Sequence, residues 1–142
     1  PLISYQLYAR YKITNKDDII SFYIDYYQFT GGAHGITNRV AYNIDVATGN
    51  ELKLEDIFKK DFLYKDVINN EISRQIKKDP DRYFTGKDGF NGINENQNFY
   101  IKNKKLVIYF ELYEIAPYAS GISEFVIPNK IIKENMKYYE VL

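Results

Sequence analysis

The sequence predicts an α+β fold, in which a mixed or antiparallel β-sheet carries one main amphipathic helix packed on one face. Two observations lead to this class. Apolar and polar side chains alternate in several short runs, which is typical of strands, and apolar residues recur every four positions in one central stretch, which is typical of a helix. The runs follow the order β-β-β-α-β-β-β-(α). Strands grouped on either side of one helix favour the α+β class over an alternating α/β one.

The first half of the chain contains three predicted strands. The first covers residues 5–14, where alternation predicts a half-buried strand, and a turn at residues 15–18 joins it to the second at residues 20–27. Such a short connection between alternating runs predicts a β-hairpin. The third strand ends at a turn over residues 47–50. Its predicted inward residues are Val40, Tyr42, Ile44 and Val46, and its predicted outward residues are Arg39, Asn43 and Asp45.

The second half contains one helix and three more predicted strands. Its apolar residues at four-residue spacing predict an amphipathic helix of about 16 residues; they are Tyr64, Ile68, Ile72 and Ile76, and Asp79-Pro80 ends the pattern. Residues 81–97 are polar and rich in Gly and Asn, which predicts an exposed loop or an irregular cover. Strands follow at residues 99–101, 106–112 and 122–127, and a short helix is predicted near Ile131 to Met136.

The composition is that of a soluble globular domain and excludes several functions. Of 142 residues, 45% are apolar and 27% charged, which excludes wholesale disorder. Nineteen basic side chains balance nineteen acidic ones. A nucleic-acid-binding protein needs a basic surplus to neutralise phosphates, so we expect no nucleic-acid partner. The longest apolar run has about five residues, whereas a spanning helix needs about 20, so we expect no membrane contact within this chain.

Cofactor and catalytic residue types are scarce in this chain. The absence of Cys excludes disulfides, thiolate zinc sites, iron–sulfur clusters and thiol nucleophiles. His34 is the single histidine, so no pair of histidines can hold a metal. We therefore predict no cofactor, no metal site and no enzyme activity in this fragment. The remaining acid–base candidates are Asp25, Asp45 and Glu111, which alternation places on the solvent face as possible cross-strand neighbours, although solvated charges are the more ordinary interpretation.

The chain begins with Pro1 rather than Met and shows no signal peptide. The sequence contains no repeat, linker or change of composition that would divide it. We interpret residues 1–142 as a single extracytoplasmic domain excised from a longer anchored or secreted protein.

A glycine-rich segment is the first of two candidate binding loops. It contains Gly31, Gly32 and His34 and interrupts the alternation between the second and third strands. Glycines permit a positive φ or a close backbone approach, and an imidazole can bind a ligand or act as an acid or base near neutral pH. A lone histidine in a turn also serves commonly as a surface or capping residue, so both interpretations stay open.

The second candidate loop covers residues 113–121, between the last two strands. Its Tyr113, Pro117 and Tyr118 could form a projecting tip, which would offer rigid contact area at little entropic cost. In the alternative interpretation both tyrosines pack over the sheet edge and Pro117 only shapes the turn.

Four groups of residues resemble one bacterial extracytoplasmic domain family. They are YYQFTGGAHG at residues 26–35, DVATG with LEDIF within residues 45–58, FYI with LVIYF within residues 99–110, and YEIAPYASG with FVIP within residues 113–128. The resemblance covers about residues 20–136. The family, long described as of unknown function, occurs in RsiV-type lysozyme-sensing anti-sigma factors, N-terminal to the catalytic domain of PdaC-type peptidoglycan deacetylases, and in stand-alone lipoproteins and secreted proteins.

The resemblance implies an α+β cell-envelope module of a Gram-positive bacterium, carried by a membrane-anchored, lipoprotein or secreted parent. In the lysozyme-sensing branch a protruding loop enters the enzyme's cleft. The matching loop here is residues 114–121, so Pro117 and Tyr118 take the corresponding positions. In that branch the loop resembles the pattern A-P-G-Y-x-G, in which the tyrosine stands one place later than Tyr118 does here. That branch also lacks the glycine–histidine loop. These departures place the chain nearer the deacetylase-associated or stand-alone branch.

Several functional hypotheses follow. The first is a non-catalytic cell-envelope binding module that recognises a cell-wall component, such as the peptidoglycan glycan, or a wall-acting protein. The second is a sensor or inhibitor domain that binds lysozyme, whose basic charge would be attracted by an acidic patch at Glu111, Glu114 and Glu124. The domain could equally be an accessory domain of a peptidoglycan deacetylase. The third is a hydrolase or transferase acting through the carboxylates named above, and a purely structural spacer role also remains open.

Overall fold

Two three-stranded antiparallel sheets, one main helix and several short helical turns make up the computed structural model, which describes residues 4–138. The first sheet has the order β1-β2-β3, with β1 at Gln6–Lys16, β2 at Ile19–Phe29 and β3 at Ile36–Asp45. The second has the order β4-β5-β6, with β4 at Phe99–Lys102, β5 at Lys105–Phe110 and β6 at Ser123–Ile127. Helix α1 spans Tyr64–Lys78 and α2 spans Asn129–Ile132. The α+β class and the order of the elements are confirmed, whereas the predicted sheet is divided into two.

Helix α1 packs on the second sheet and forms the main hydrophobic core with it. It has 15 residues and ends just before Asp79 and Pro80, as the four-residue apolar spacing predicts. Ile68 and Ile72 of this helix are fully buried in one cluster with residues of the second sheet, which include Ile101, Leu106, Ile108, Phe125 and Ile127. Each such side chain contributes roughly 1.5–3 kcal/mol by its burial. Between residues 4 and 138, no helix has the length and apolar character needed to cross a bilayer.

The polar segment of residues 81–97 is an irregular cover over this core. A short 3₁₀ turn, Pro80–Arg82, leads into it, and it contains a second one, Gly86–Asp88. Its apolar side chains fold inward, since Ile93 is buried and both Tyr83 and Phe90 pack against the core cluster. The segment therefore adds to the core although its composition is that of a loop.

The first sheet packs on the second through its polar face. Ser21 Oγ donates a hydrogen bond to Asn43 Oδ1 at 2.5 Å, and Asn43 Nδ2 donates to the Phe99 carbonyl at 3.0 Å. The Ile101 amide donates to Ser21 Oγ at 3.1 Å, and Thr14 Oγ1 donates to the Ile101 carbonyl at 2.6 Å. This buried network ties the first sheet to β4, so the polar side chains on the inner face have hydrogen-bonding partners.

The apolar face of the first sheet lies on the outside, and here the sequence-based prediction was wrong. Val40 is 40% exposed and Val46 is 53% exposed, whereas Asn43, which was expected to face outward, is buried. The first strand is not half-buried either, because every residue from 6 to 13 is exposed, including Tyr11 at 74%. Alternation separates the two faces of a strand, but the tertiary contacts decide which face is covered. In this chain the hydrogen-bond network, together with the 5.2 Å contact of the Tyr23 and Tyr100 rings, covers the polar face.

Candidate functional site

The two candidate loops lie against each other at one end of the molecule. The glycine loop (residues 30–35) joins β2 to β3, and the tyrosine loop (residues 113–121) lies between β5 and β6. The rings of His34 and Tyr118 are stacked, with centroids 3.7 Å apart and an interplanar angle of 15°. Tyr118 Oη donates a hydrogen bond to the Gly35 carbonyl at 2.9 Å. The residues that sequence reasoning assigned to two separate loops therefore form one surface.

The glycine loop has backbone geometry that requires glycine at several positions. Gly31 and Gly32 have φ values of 98° and 105°, in a region that residues with a Cβ atom rarely adopt. Gly35 is buried and is needed for a different reason, because a Cβ atom there would lie 2.4 Å from the ring of Tyr27. Tyr27 thus packs directly on the Gly35 backbone, and His34 is carried into contact with the neighbouring loop.

The tyrosine loop is anchored at its centre and exposed at its tip. Ile115 and Ala116 are buried and hold the loop on the core. Pro117 is exposed and precedes a 3₁₀ turn, Tyr118–Ser120, which is followed by Gly121 with a φ of 70°. Because the anchor and the turn are both fixed, Pro117 and Tyr118 hold defined positions.

Tyr113 completes this surface. Its φ of 66° places a bulky aromatic residue in the left-handed region, a conformation that costs about 1–3 kcal/mol and persists only where the surroundings enforce it. Its hydroxyl lies 3.4 Å from His34 Nε2, its ring lies 5.8 Å from that of Tyr118, and 49% of the residue is exposed. We call the surface formed by His34, Tyr113, Pro117 and Tyr118 the loop platform. It offers rigid aromatic and apolar contact area together with hydroxyl and imidazole groups.

Arg39 lies beside the loop platform and connects both sheets, and sequence reasoning did not identify it. Its Nε and Nη2 donate to the two carboxylate oxygens of Asp25 at 2.8 and 3.0 Å, and its Nη1 donates to Glu124 at 2.5 Å. The guanidinium lies 3.8 Å from the centre of the Tyr23 ring, and the side chain is only 8% exposed. Burial alone would lower the pKa of Arg39, but the hydrogen bonds with Asp25 and Glu124 outweigh it and raise the pKa. Arg39 lies directly opposite Asp25 in the β2–β3 register. This pairing could not be read from the sequence, because the irregular glycine loop between the two strands leaves their register undefined.

Glu111 adds a further carboxylate around Arg39. Both of its side-chain oxygens accept the Arg39 amide, at 3.1 and 3.2 Å, and Glu114 accepts the Glu111 amide at 2.9 Å. Burial raises the pKa of Glu111 above its ordinary value, and the hydrogen bond from the Arg39 amide partly offsets this rise. Asp25 and Glu124 thus share the Arg39 guanidinium, and Glu111 accepts the Arg39 backbone amide, so this end of the molecule carries a local excess of negative charge.

Asp45 is separated from the other two predicted carboxylates. It lies six residues beyond Arg39 along β3, about 20 Å at the usual rise of a strand. It accepts a hydrogen bond from Tyr138 Oη at 2.6 Å, which lowers the pKa of Asp45. The expected cross-strand trio is therefore corrected to a pair, Asp25 and Glu111, that is occupied by Arg39. Residues 4–138 contain no group of three acidic or histidine side chains arranged to hold a metal ion.

The α+β domain described above matches a known protein family over more than half of its length. Residues 55–130 match the family described as "Protein of unknown function (DUF3298)", and the chain belongs to that family. Residues 1–37 match a second family, described as "Deacetylase PdaC". The resemblance inferred from the sequence motifs is confirmed.

Two curated relatives and two solved structures support this assignment. The chain is 33% identical to the anti-sigma-V factor RsiV of Bacillus subtilis over 135 residues, covering 89% of this chain and 47% of RsiV. It is 28% identical to the peptidoglycan-N-acetylmuramic acid deacetylase PdaC of the same organism over 137 residues, covering 93% of this chain and 29% of PdaC. This chain therefore spans less than half of either relative.

The fold recurs in a DUF3298 family member from Bacteroides fragilis, with a TM-score of 0.73 and 27% identity over 97% of this chain and 56% of that one. A DUF3298 family protein from Pseudomonas aeruginosa has a TM-score of 0.69 at 20% identity, over 95% of this chain and 63% of that one, and so shares the fold.

Proposed function

We propose that this chain is a non-catalytic cell-envelope recognition module, which binds a cell-wall component or a wall-acting protein through the loop platform. The observation that carries the proposal is the stack of His34 on Tyr118, which fixes two loops from distant parts of the chain into one surface. A surface that is already ordered loses little conformational entropy on binding. Tyrosine-rich, rigid surfaces are typical of recognition sites. In this proposal Gly31 and Gly32 shape the turn that presents His34.

An extracytoplasmic location and a wall ligand are supported by the relatives and by the charge. One relative is named as an enzyme that acts on peptidoglycan. The formal net charge of zero suits a glycan ligand better than a polyanion such as nucleic acid. We propose that residues 1–142 act as one domain outside the cytoplasm, within an anchored or secreted parent protein.

The test is sedimentation of the purified chain with purified Gram-positive peptidoglycan. We expect the chain to sediment with the peptidoglycan and the Tyr113→Ala variant to stay largely in the supernatant. Tyr11→Ala is the matched control, because Tyr11 is an equally large exposed tyrosine on the outer face of the first sheet. Equal loss of binding in both variants, or no binding by the unaltered chain, would argue against a wall ligand at the loop platform.

Lysozyme is the second candidate ligand, and the acidic cluster beside the loop platform favours it. Glu111 accepts the Arg39 backbone amide, Glu124 accepts the Arg39 guanidinium, and the exposed Glu114 accepts the Glu111 amide. A cluster with excess negative charge accelerates encounter with a basic protein, more strongly at low salt. Calorimetric titration with hen lysozyme at low and physiological salt tests this candidate, with Tyr118→Ala as the variant expected to lose binding. An absence of heat at tens of micromolar would leave the wall component as the ligand.

A role as an accessory domain of a deacetylase is a compatible setting for the first candidate. Most of this chain aligns with a small part of PdaC, so a catalytic domain in the same parent would be held near its polymer by a wall-binding module. Such tethering raises the effective concentration of substrate without any catalytic residue in this chain.

A further inference from the structure

A second concave surface lies next to the glycine loop, on the inner face of the first sheet. This hairpin groove has a volume of about 430 Å³ and is lined by Tyr8, Arg10, Asp25, Tyr27 and Thr37. Its size falls in the range of small-ligand pockets.

Two tyrosines form the aromatic wall of the hairpin groove. The rings of Tyr8 and Tyr27 have centroids 6.0 Å apart and are tilted by 33°, and Tyr8 is 54% exposed. Tyr27 is held in place by its close packing on Gly35. Aromatic faces of this kind bury the apolar C–H face of a sugar ring while the ring hydroxyls point to polar neighbours.

The polar groups of the hairpin groove are of both signs. Arg10 is exposed, and no carboxylate within residues 4–138 forms an ion pair with it. Asp25 faces Arg10 across the β1–β2 register, but its oxygens already accept from Arg39. Each carboxylate oxygen keeps a further lone pair, so Asp25 can still accept a hydroxyl or amide hydrogen, while Arg10 keeps its whole charge for an anion.

We propose that the hairpin groove binds a carboxylate-bearing, N-acylated sugar, with the ring stacked on Tyr8 and Tyr27 and the carboxylate paired with Arg10. The inference deepens the proposed function and rests on it, because it names an acidic amino-sugar glycan as the wall component. Gly35 connects the hairpin groove to the loop platform, because Tyr27 packs on its backbone and Tyr118 donates a hydrogen bond to its carbonyl. A glycan strand that occupies the hairpin groove therefore extends toward the loop platform.

The test is an NMR titration of the isotope-labelled chain with two disaccharides. The acidic probe is N-acetylglucosaminyl-N-acetylmuramic acid, and the neutral probe is N,N′-diacetylchitobiose, which lacks the carboxylate. We expect the acidic probe to shift the amide signals of Tyr8, Arg10 and Thr37, and Arg10→Gln to weaken its binding about tenfold, as is typical of a lost charge-assisted hydrogen bond. Arg10→Gln should leave the neutral probe unaffected, and Tyr8→Ala should weaken both probes.

Matched controls come from neighbouring exposed residues of the same strand. Lys12→Gln removes a cation two residues away that does not line the hairpin groove, and Tyr11→Ala removes a tyrosine from the opposite face. The proposal is overturned if Lys12→Gln weakens the acidic probe as much as Arg10→Gln does, or if no signal of the hairpin groove shifts at about 10 mM probe, above ordinary millimolar dissociation constants.

Peptidoglycan sedimentation separates failure of this inference from failure of the proposed function. If Tyr113→Ala abolishes sedimentation and Tyr8→Ala does not, the module stands and the hairpin groove is not its glycan site. If the unaltered chain does not sediment at all and neither disaccharide binds, both proposals fail together.

Discussion

The imidazole of His34 lies flat on the phenol ring of Tyr118, at a centroid distance of 3.7 Å. The neighbouring hydrogen bond from Tyr118 to Gly35 spans 83 residues of sequence. Contacts between positions this far apart form only when both sheets are in place, because closing such a long loop has a large entropic cost. The loop platform is therefore a product of the whole fold, and its geometry reports on the docking of the two sheets.

Substitutions of Tyr118 test this contact between the two loops most directly. Tyr118→Phe keeps the stack and removes the hydrogen bond to Gly35, so we expect a loss of about 0.5–1.5 kcal/mol in the free energy of unfolding. Tyr118→Ala also removes the ring contact with His34 and should cost about 1–3 kcal/mol in this half-buried position. Urea denaturation measures both. Equal stability of the Phe and Ala variants would contradict the stacking contact.

Gly35 should be intolerant of even a single methyl group. In Gly35→Ala the new Cβ meets the Tyr27 ring at 2.4 Å, so the ring must move, and we expect a loss of about 1–3 kcal/mol. Because the clash involves one side chain, the double variant Gly35→Ala with Tyr27→Ala should be less destabilised than the sum of the two single variants. Thermal unfolding of all four proteins gives this coupling. Strict additivity would show that the backbone, and not Tyr27, resists the methyl group.

The sequence was sufficient to predict elements whose signals are local. The four-residue spacing from Tyr64 to Ile76 predicts α1 to within one or two residues, and alternation predicts the three strands of the first sheet. The same alternation could not decide which face of the first sheet is covered, because it assigns Val40 and Arg39 to opposite faces of β3 without showing which face is buried. That choice depends on the partners supplied by the second sheet, and those lie up to about 80 residues away.

The candidate loops were found by composition, but their contact was not. Glycines at positions 31 and 32 and the proline at 117 mark loops because they restrict or release the backbone locally. Nothing in those properties places His34 on Tyr118. The burial of Arg39 is not predictable from the sequence either, because a charged residue in a strand is ordinarily solvated and this one is buried only through Asp25, Glu124 and Tyr23 together.

Arg39 should be among the most sensitive positions of the chain. Arg39→Met leaves Asp25 and Glu124 without their cation, and because both carboxylates still reach solvent we expect a loss of about 1–3 kcal/mol. Arg39→Lys keeps the charge but cannot form the two-pronged bond to Asp25, so its loss should be smaller. The control is Lys65→Met, which breaks an exposed pair with Glu95 and should cost far less stability. Chemical denaturation that ranks Lys65→Met with Arg39→Met would contradict the buried bridge.

Glu111 should make stability depend on pH. Burial raises its pKa in the folded state, so the folded protein holds this proton more tightly than the unfolded one. Its contribution to stability is therefore fully present below the unfolded pKa of about 4.3 and is lost as the pH rises through the higher folded pKa.

Glu111→Gln removes this titration while keeping an acceptor for the Arg39 amide. We expect the melting temperature of Glu111→Gln, relative to that of the unaltered chain, to increase as the pH rises from 4 to 7. The exposed Glu51→Gln serves as the control, and a melting-temperature difference that shrinks with rising pH would refute the assigned direction.

The orientation of the first sheet can be tested by comparing its two faces. Asn43→Ala removes the acceptor of Ser21 and the donor to Phe99, and leaving buried polar groups unpaired should cost about 1–3 kcal/mol. Tyr11→Thr alters a large but exposed side chain on the other face and should stay within about 0.5 kcal/mol. Urea denaturation at two protein concentrations measures both variants. A larger loss for Tyr11→Thr, especially one that grows with concentration, would show that the outer face is covered in solution, because only a second copy makes unfolding depend on concentration.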